Sequence, residues 1–348
     1  MDALPKLVEI AVIGGGLAGL ATAWALAERG ASDVVVLERE PTLATHASGR
    51  NAAMCRALAE DDTWTTWTAA GAAFLRRPPE GFTDHPLVDD RGAVLLAGPA
   101  VARELADRAA RFDVRCTPVS TVELMARWPG LAVARGGLLF PDDGCIDLAR
   151  LVGGYVRGAR RGGARIVTSA AVTAMAPRDG GVELTTGQGT VTARAVVVAA
   201  GAWAGEVGAL AGAAVGFESR RRHIFSLAAP APGAAAPIVW NVDGDEWYAR
   251  PAGTEIWASA CDNDVVAPGV VEPRREAEPI VRARLPSALG TARLVRAWAC
   301  QRTFAPSGQP VVARDVDRSW LYWVAGLGGH GVTASAAIGR AAAAALQS

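Results

Sequence analysis

Cysteine, histidine and tyrosine are scarce in this chain, with five, four and three among 348 residues. Cys55, Cys116, Cys145, Cys261 and Cys300 are odd in number, far apart and without a CxxC pair. That excludes a disulfide framework and a structural zinc site, so no metal is expected and a reducing cytoplasm is the expected compartment. Neither sign of charge is in excess, because 35 Lys and Arg balance 35 Asp and Glu. A nucleic-acid surface or an anchor on acidic lipid is therefore not the main function. Long uninterrupted apolar runs are missing too. The stretch from Ala11 to Ala27 contains four glycines and is followed by Glu28 and Glu38, and no basic segment precedes it. It reads as strand, turn and helix, with neither an export signal nor an integral membrane segment expected. At 51% hydrophobic and 20% charged the composition is globular, and the length suggests two domains of about 150 residues each. There is no internal repeat.

What is present begins at the N-terminus. Val8 to Ile13 is a β-branched run of the kind buried in parallel sheets. Gly14-Gly15-Gly16-Leu17-Ala18-Gly19 fits GxGxxG, a helix pattern runs from Leu20 to Arg29 and stops at Gly30, and Val34 to Leu37 ends in Glu38. Gly14 permits the tight turn, Gly16 lets backbone approach a pyrophosphate, and Gly19 lets helix pack on strand. The helix N-terminus offers Leu17 and Ala18 N–H groups to phosphate. Glu38 stands at the distance where an acid accepts ribose hydroxyls and repels a 2′-phosphate, which leaves FAD and NAD open.

Three further segments follow in order: Thr45-His46-Ala47-Ser48-Gly49-Arg50-Asn51-Ala52-Ala53, Val196 to Trp203 (VVVAAGAW), and Trp323 to Thr333 (WVAGLGGHGVT). With LERE (37–40), PPEGF (78–82), HPL (85–87), RRR (220–222) and TASAAIG (333–339), this order resembles the D-amino-acid-oxidase-like (DAO) family of FAD-dependent oxidoreductases. The family includes glycine and sarcosine oxidases, and the likeness is nearest to bacterial D-arginine dehydrogenase. The resemblance implies FAD, and an α/β fold in which a Rossmann-like FAD domain carries an inserted, mostly antiparallel substrate domain. The expected FAD domain takes residues 1–85, 145–215 and 296–348, and the substrate domain takes 86–144 and 216–295. Glu246–Pro251 and Glu255–Ala260 alternate as strands do, and Ala228–Pro237 reads as a loop.

The resemblance also assigns residues. Arg39, Ser48, Gly49, Arg50, Asn51 and Ala52 would meet the cofactor, with SGRNAA opening a helix that Ser48 caps. Val172 would hold adenine, and Ala200, Gly201 and Trp203 would pass the pyrophosphate. Gly328, Gly329, His330, Gly331, Val332 and Thr333 would aim N–H groups and a positive helix end at the flavin pyrimidine. His46 is structural or touches FAD. Arg302 would clamp a substrate carboxylate, with Arg222 or Arg221 as second arginine, because a guanidinium fork gives two charge-assisted bonds. Tyr248 and His330 would reach the substrate. Cys300 lies near the position that tethers flavin in some relatives, although non-covalent FAD is expected.

Where the D-arginine enzyme holds an acid for the guanidinium, the chain has Ala93, and Met54, Arg56 and Ala59 replace its polar residues beyond SGR. A neutral, apolar or acidic substrate is thus expected, with Arg56 available to pair an acid. The implied reaction is hydride transfer from a small amino acid or amine (the D form if chiral) to flavin N5. The resulting imine hydrolyses to a keto acid and ammonia, and oxygen or a quinone accepts the electrons. Alternatives are a 2-hydroxy acid dehydrogenase, an FAD-binding subunit of a heteromeric amine dehydrogenase and, disfavoured by GLGGHG, an NAD-dependent dehydrogenase.

Overall fold

The computed structural model describes residues 2–128, 131–228 and 236–348. Among these, two eight-stranded sheets organise the chain. In the first, Leu7–Ile13 lies between Gly189–Val198 and Val34–Leu37, parallel to both, with Ile13 opposite Val198 and Leu37. Arg165–Val167 and Leu321–Ala325 extend this core, again in parallel. All four residues of Val34–Leu37 are buried, which is why they read as one unbroken apolar run. The sheet expected to be parallel is so only in these five strands. Val311–Arg314 pairs antiparallel at one edge, and the hairpin Val172–Arg178 with Gly181–Thr186 turns back onto Gly189–Val198.

The opening helix spans Leu17–Glu28 rather than beginning at Leu20, because Gly16 is its N-cap and the third motif glycine falls inside its first turn. A Cβ on Gly19 would lie 1.9 Å from the Gly14 carbonyl oxygen, so only glycine lets this helix sit on its strand. The C-terminal helix Gly331–Leu346 closes against it, with Gly339 over the Ala21 backbone. Trp24, Phe74, Phe82 and Tyr155 pack together under these helices, and the Tyr155 hydroxyl meets Ser335 Oγ at 2.9 Å.

The second sheet runs Arg293–Phe304, Glu218–Ala228, Glu255–Ser259, Trp247–Ala252, Ile238–Asn241, Ala93–Leu96, Gly137–Phe140, Thr117–Val119. Its pairs are antiparallel except that between Ile238–Asn241 and Ala93–Leu96. The strand Arg293–Phe304 straddles the expected boundary at 296. Its ladder with Glu218–Ala228 runs from Arg293 to Phe304 with one register shift at Val295, so the second sheet keeps the chain until Phe304. The loop expected at Ala228–Pro237 falls, for residues 229–235, outside the described residues.

Two hydrogen bonds tie the second sheet to segments outside it where the site lies. Gly328 N–H donates to the Thr303 carbonyl at 2.8 Å, beside a bridge between Phe304 and Leu327. Trp298 Nε1–H donates to the Arg50 carbonyl at 2.8 Å.

Candidate active site

A cavity of about 810 Å³ is walled by both sheets. On the first-sheet side its lining begins with Gly14, Gly16, Leu17 and Ala18. Gly14 has φ +114°, and a Cβ there would lie 2.4 Å from the Ala199 carbonyl oxygen, so the turn admits only glycine. A Cβ on Gly16 would press on Ser48 Oγ at 2.9 Å. These bare backbones, at the N-terminus of the opening helix, form a cradle that fits a pyrophosphate. Glu38 also lines the cavity. Its Oε2 accepts from Gly15 N–H at 2.6 Å and its Oε1 from Glu40 N–H at 2.8 Å. The backbone thus aims its carboxylate, and its remaining lone pairs fit ribose hydroxyls. Arg39 stacks over the Trp203 ring at 3.7 Å, and both line the cavity with Val172, Ala200 and Gly201.

Ser48 lines the cavity, but its capping role differs from expectation. The short helix here is Ala47–Arg50, capped by His46, and it ends at Arg50 where SGRNAA was expected to begin one. Asn51 stops it by donating from Nδ2 to the Ala47 and Ser48 carbonyls at 3.0 and 2.8 Å. Ser48 Oγ instead accepts from Leu17 N–H at 2.9 Å and so caps the opening helix from a distance. Arg50, Asn51 and Ala52 line the cavity, as does His46, which pairs with Glu40 at 2.9 Å. Gly19 and Gly49 are not in the lining. Gly19 serves helix packing, and a Cβ on Gly49 would strike the Ala44 carbonyl at 2.3 Å.

The far wall brings Arg222, Tyr248 and Arg302 together, with Gly328, Gly329, His330, Gly331, Val332 and Thr333 beside them. The last four open the C-terminal helix, and Arg302 packs where a Gly329 side chain would stand (Nη1 is 3.1 Å from that Cβ). Arg302 Nη2 donates to Asn263 Oδ1 at 2.9 Å. The Nε atoms of Arg222 and Arg302 are buried without a hydrogen-bond partner among the described residues. Burial, then the charge of Arg222, pulls the Arg302 guanidinium down to about 10. Two neighbouring guanidiniums with unused donors suit an anionic ligand. Arg221, the other arginine considered, does not line the cavity. Tyr248 is buried, and desolvation holds its hydroxyl neutral. His330 Nε2 meets Glu60 Oε2 at 2.6 Å, and its ring lies 4.8 Å from that of Trp64. Desolvation raises the Cys300 thiol to about 11, opposite to the thiolate that flavin attachment needs.

Of the four positions compared with D-arginine dehydrogenase, Met54 and Arg56 line the cavity. Ala59 is buried away from it, and Ala93 is paired with Phe140 and Ile238 inside the second sheet. Ala93 is not in the cavity lining, so the expected contrast with an acid at that position falls outside the site. Glu60, Trp64, Trp240, Glu246 and Asn263 line the cavity and were not singled out. Each sits in a segment without a motif, and only the fold marks it.

The family model described as FAD dependent oxidoreductase (DAO) matches residues 9–345. Mitochondrial dimethylglycine dehydrogenase of Mus musculus is 29% identical over 59% of this chain and 24% of its own length. A 4-methylaminobutanoate oxidase (formaldehyde-forming) of Paenarthrobacter nicotinovorans is 26% identical over 97% of this chain and 43% of its own. The chain thus spans a quarter to under half of these curated relatives. Among solved structures, L-proline dehydrogenase from P. horikoshii superposes with TM-score 0.86 at 21% identity, covering 98% of this chain and 93% of that one. Glycine oxidase from Geobacillus kaustophilus gives 0.81 at 22%, covering 99% and 95%. These two likenesses speak for the fold.

Proposed function

The chain belongs to the DAO family of FAD-dependent oxidoreductases, and from that premise we propose that it oxidises the C–N bond of a small amino acid or carboxylate-bearing amine. The product is an imine that hydrolyses to a keto acid and ammonia or amine. The observation that carries this reading is the pair of crowded guanidiniums, Arg222 and Arg302, in the wall next to the turn 328–333. A substrate carboxylate takes their unused donors. Arg302, already oriented by Asn263, is the principal clamp. Tyr248, kept protonated by burial, donates to the bound substrate, and His330 borders the reacting centre. When bound, FAD supplies the two-electron acceptor that takes the substrate hydride at N5. No general base is required when the amine binds neutral.

The same reading keeps residues 1–85, 145–215 and the C-terminal part as the FAD domain, a D preference for chiral substrates, a cytoplasmic setting, and oxygen or quinone as acceptor. The high thiol of Cys300 supports non-covalent FAD. The Mus musculus and Paenarthrobacter relatives, named for dimethylglycine and 4-methylaminobutanoate, support amines carrying a carboxylate. The test is anaerobic bleaching of the purified protein's flavin by D- and L-amino acids, N-methyl amino acids and 2-hydroxy acids, followed by air. Bleaching by an amine is expected, and the speed of recovery in air separates the acceptors. Bleaching by hydroxy acids alone contradicts the proposal, as does a flavin that no amine reduces.

A further inference from the structure

The clamp leaves one buried cation of the cavity unexplained. Arg56 is 7% exposed and lines the cavity, yet of its five N–H donors one is used, Nη1 to Glu60 Oε1 at 3.2 Å. Its Nε is buried with no partner among the described residues. Glu60, its ion-pair partner at 3.2 Å, also meets His330 through its other oxygen at 2.6 Å, so it occupies a single Arg56 donor. The guanidinium face is covered by Trp240, whose ring centroid lies 4.5 Å away, so the edge of the fork is what remains to be met. Trp240 is held in turn by its Nε1–H on Glu246 Oε1 at 2.8 Å and lies 5.2 Å from the Tyr248 ring. A continuous wall therefore runs from the Arg222–Arg302 pair through Tyr248 and Trp240 to Arg56. A buried guanidinium with idle donors is costly unless a ligand completes it.

We propose that Arg56 is a second anion subsite, and that the substrate is an amino acid whose side chain ends in a second carboxylate. This rests on the amine-oxidation reading above. A diacid spans the wall, one carboxylate on Arg222 and Arg302 and the other on the free edge of Arg56. The amide of the same shape leaves the guanidinium without its charge-assisted partner.

The experiment is anaerobic stopped-flow reduction of the flavin by aspartate, glutamate and 2-aminoadipate, in both enantiomers, beside asparagine, glutamine and the aminoadipate δ-amide. For the best diacid, the reduction rate over Kd should exceed that of its amide at least about 100-fold. In Arg56→Met the ratio should fall to within about threefold of one, and in Arg56→Lys it should be intermediate. Glu60→Gln, which frees Arg56 of its internal partner, should raise the ratio and serves where Arg56→Met does not fold. Amides that match the diacids in the wild type overturn the proposal, as does a ratio that survives in Arg56→Met or does not rise in Glu60→Gln. Reduction by monocarboxylate amines without any advantage for diacids overturns this inference alone. Reduction by no amine overturns the reading beneath it as well.

Discussion

The wall that faces the dinucleotide and the wall that faces the substrate are built by opposite means. The first is made largely of backbone, from Gly14 to Glu38, and several of its polar groups are paired inside the protein: Glu38 with Gly15 and Glu40, Leu17 with Ser48. The second is made of side chains from four separate places, Arg56, Arg222, Tyr248 and Arg302, and all three arginines keep idle donors. A backbone cradle demands glycine at fixed spacing and so marks the sequence locally. A side-chain clamp demands only that distant residues meet. The glycine wall is built from backbone held within the chain, whereas the arginine wall keeps buried guanidinium Nε donors without partners among the described residues.

The sharpest way to break this contrast is Gly14→Ala. A methyl 2.4 Å from the Ala199 carbonyl, on a residue with φ +114°, forces the turn apart. FAD content of the purified protein should fall at least about tenfold, with a stability loss on the order of 3 kcal/mol. Full flavin occupancy in this variant would show that the cradle is not backbone-built.

A smaller effect separates fold from chemistry beneath Arg56. Asp143 Oδ1 accepts from Ala57 N–H at 2.9 Å, its Oδ2 is unpartnered, and burial lifts its carboxyl to about 7. Between about pH 4 and 7 the folded chain holds this proton and the unfolded chain does not, so stability falls as pH rises through that window. Asp143→Asn should remove the slope and gain on the order of 2 kcal/mol at pH 8, with no gain below pH 4. Thermal melts across pH check this, and parallel curves would contradict it.

Tyr248→Phe removes a donor but not the clamp. We expect kcat/KM to fall about tenfold with flavin content unchanged, and a loss beyond about 1,000-fold would move Tyr248 from positioning to the chemistry itself. The smallest effect is Trp298→Phe, which deletes the bond to the Arg50 carbonyl. It should cost about 1 kcal/mol in denaturant unfolding.

The legibility of the sequence follows the same division. Val34–Leu37 was read residue for residue, and Leu7–Ile13 within one, because fully buried parallel strands are unbroken apolar runs. The helix after the glycines was placed three residues late, since propensity argues against starting one inside a glycine motif while the cap geometry of Gly16 permits it. Family likeness brought Arg222, Tyr248 and Arg302 forward. It missed Asn263, which fixes Arg302 from an irregular segment, and Trp240, which covers Arg56. Ser48 was read as a local cap because sequence shows neighbours only along the chain, while its true partner is Leu17.

The proposed recognition of a carboxylate by Arg302 depends on a wall assembled by the fold. It is tested most directly by anaerobic flavin reduction in wild type and Arg302→Met, using one amine substrate and its carboxylate-free analogue. The wild type should prefer the carboxylate form by about 1,000-fold, and the preference should nearly vanish in Arg302→Met at equal flavin content. An undiminished preference in the variant would contradict it.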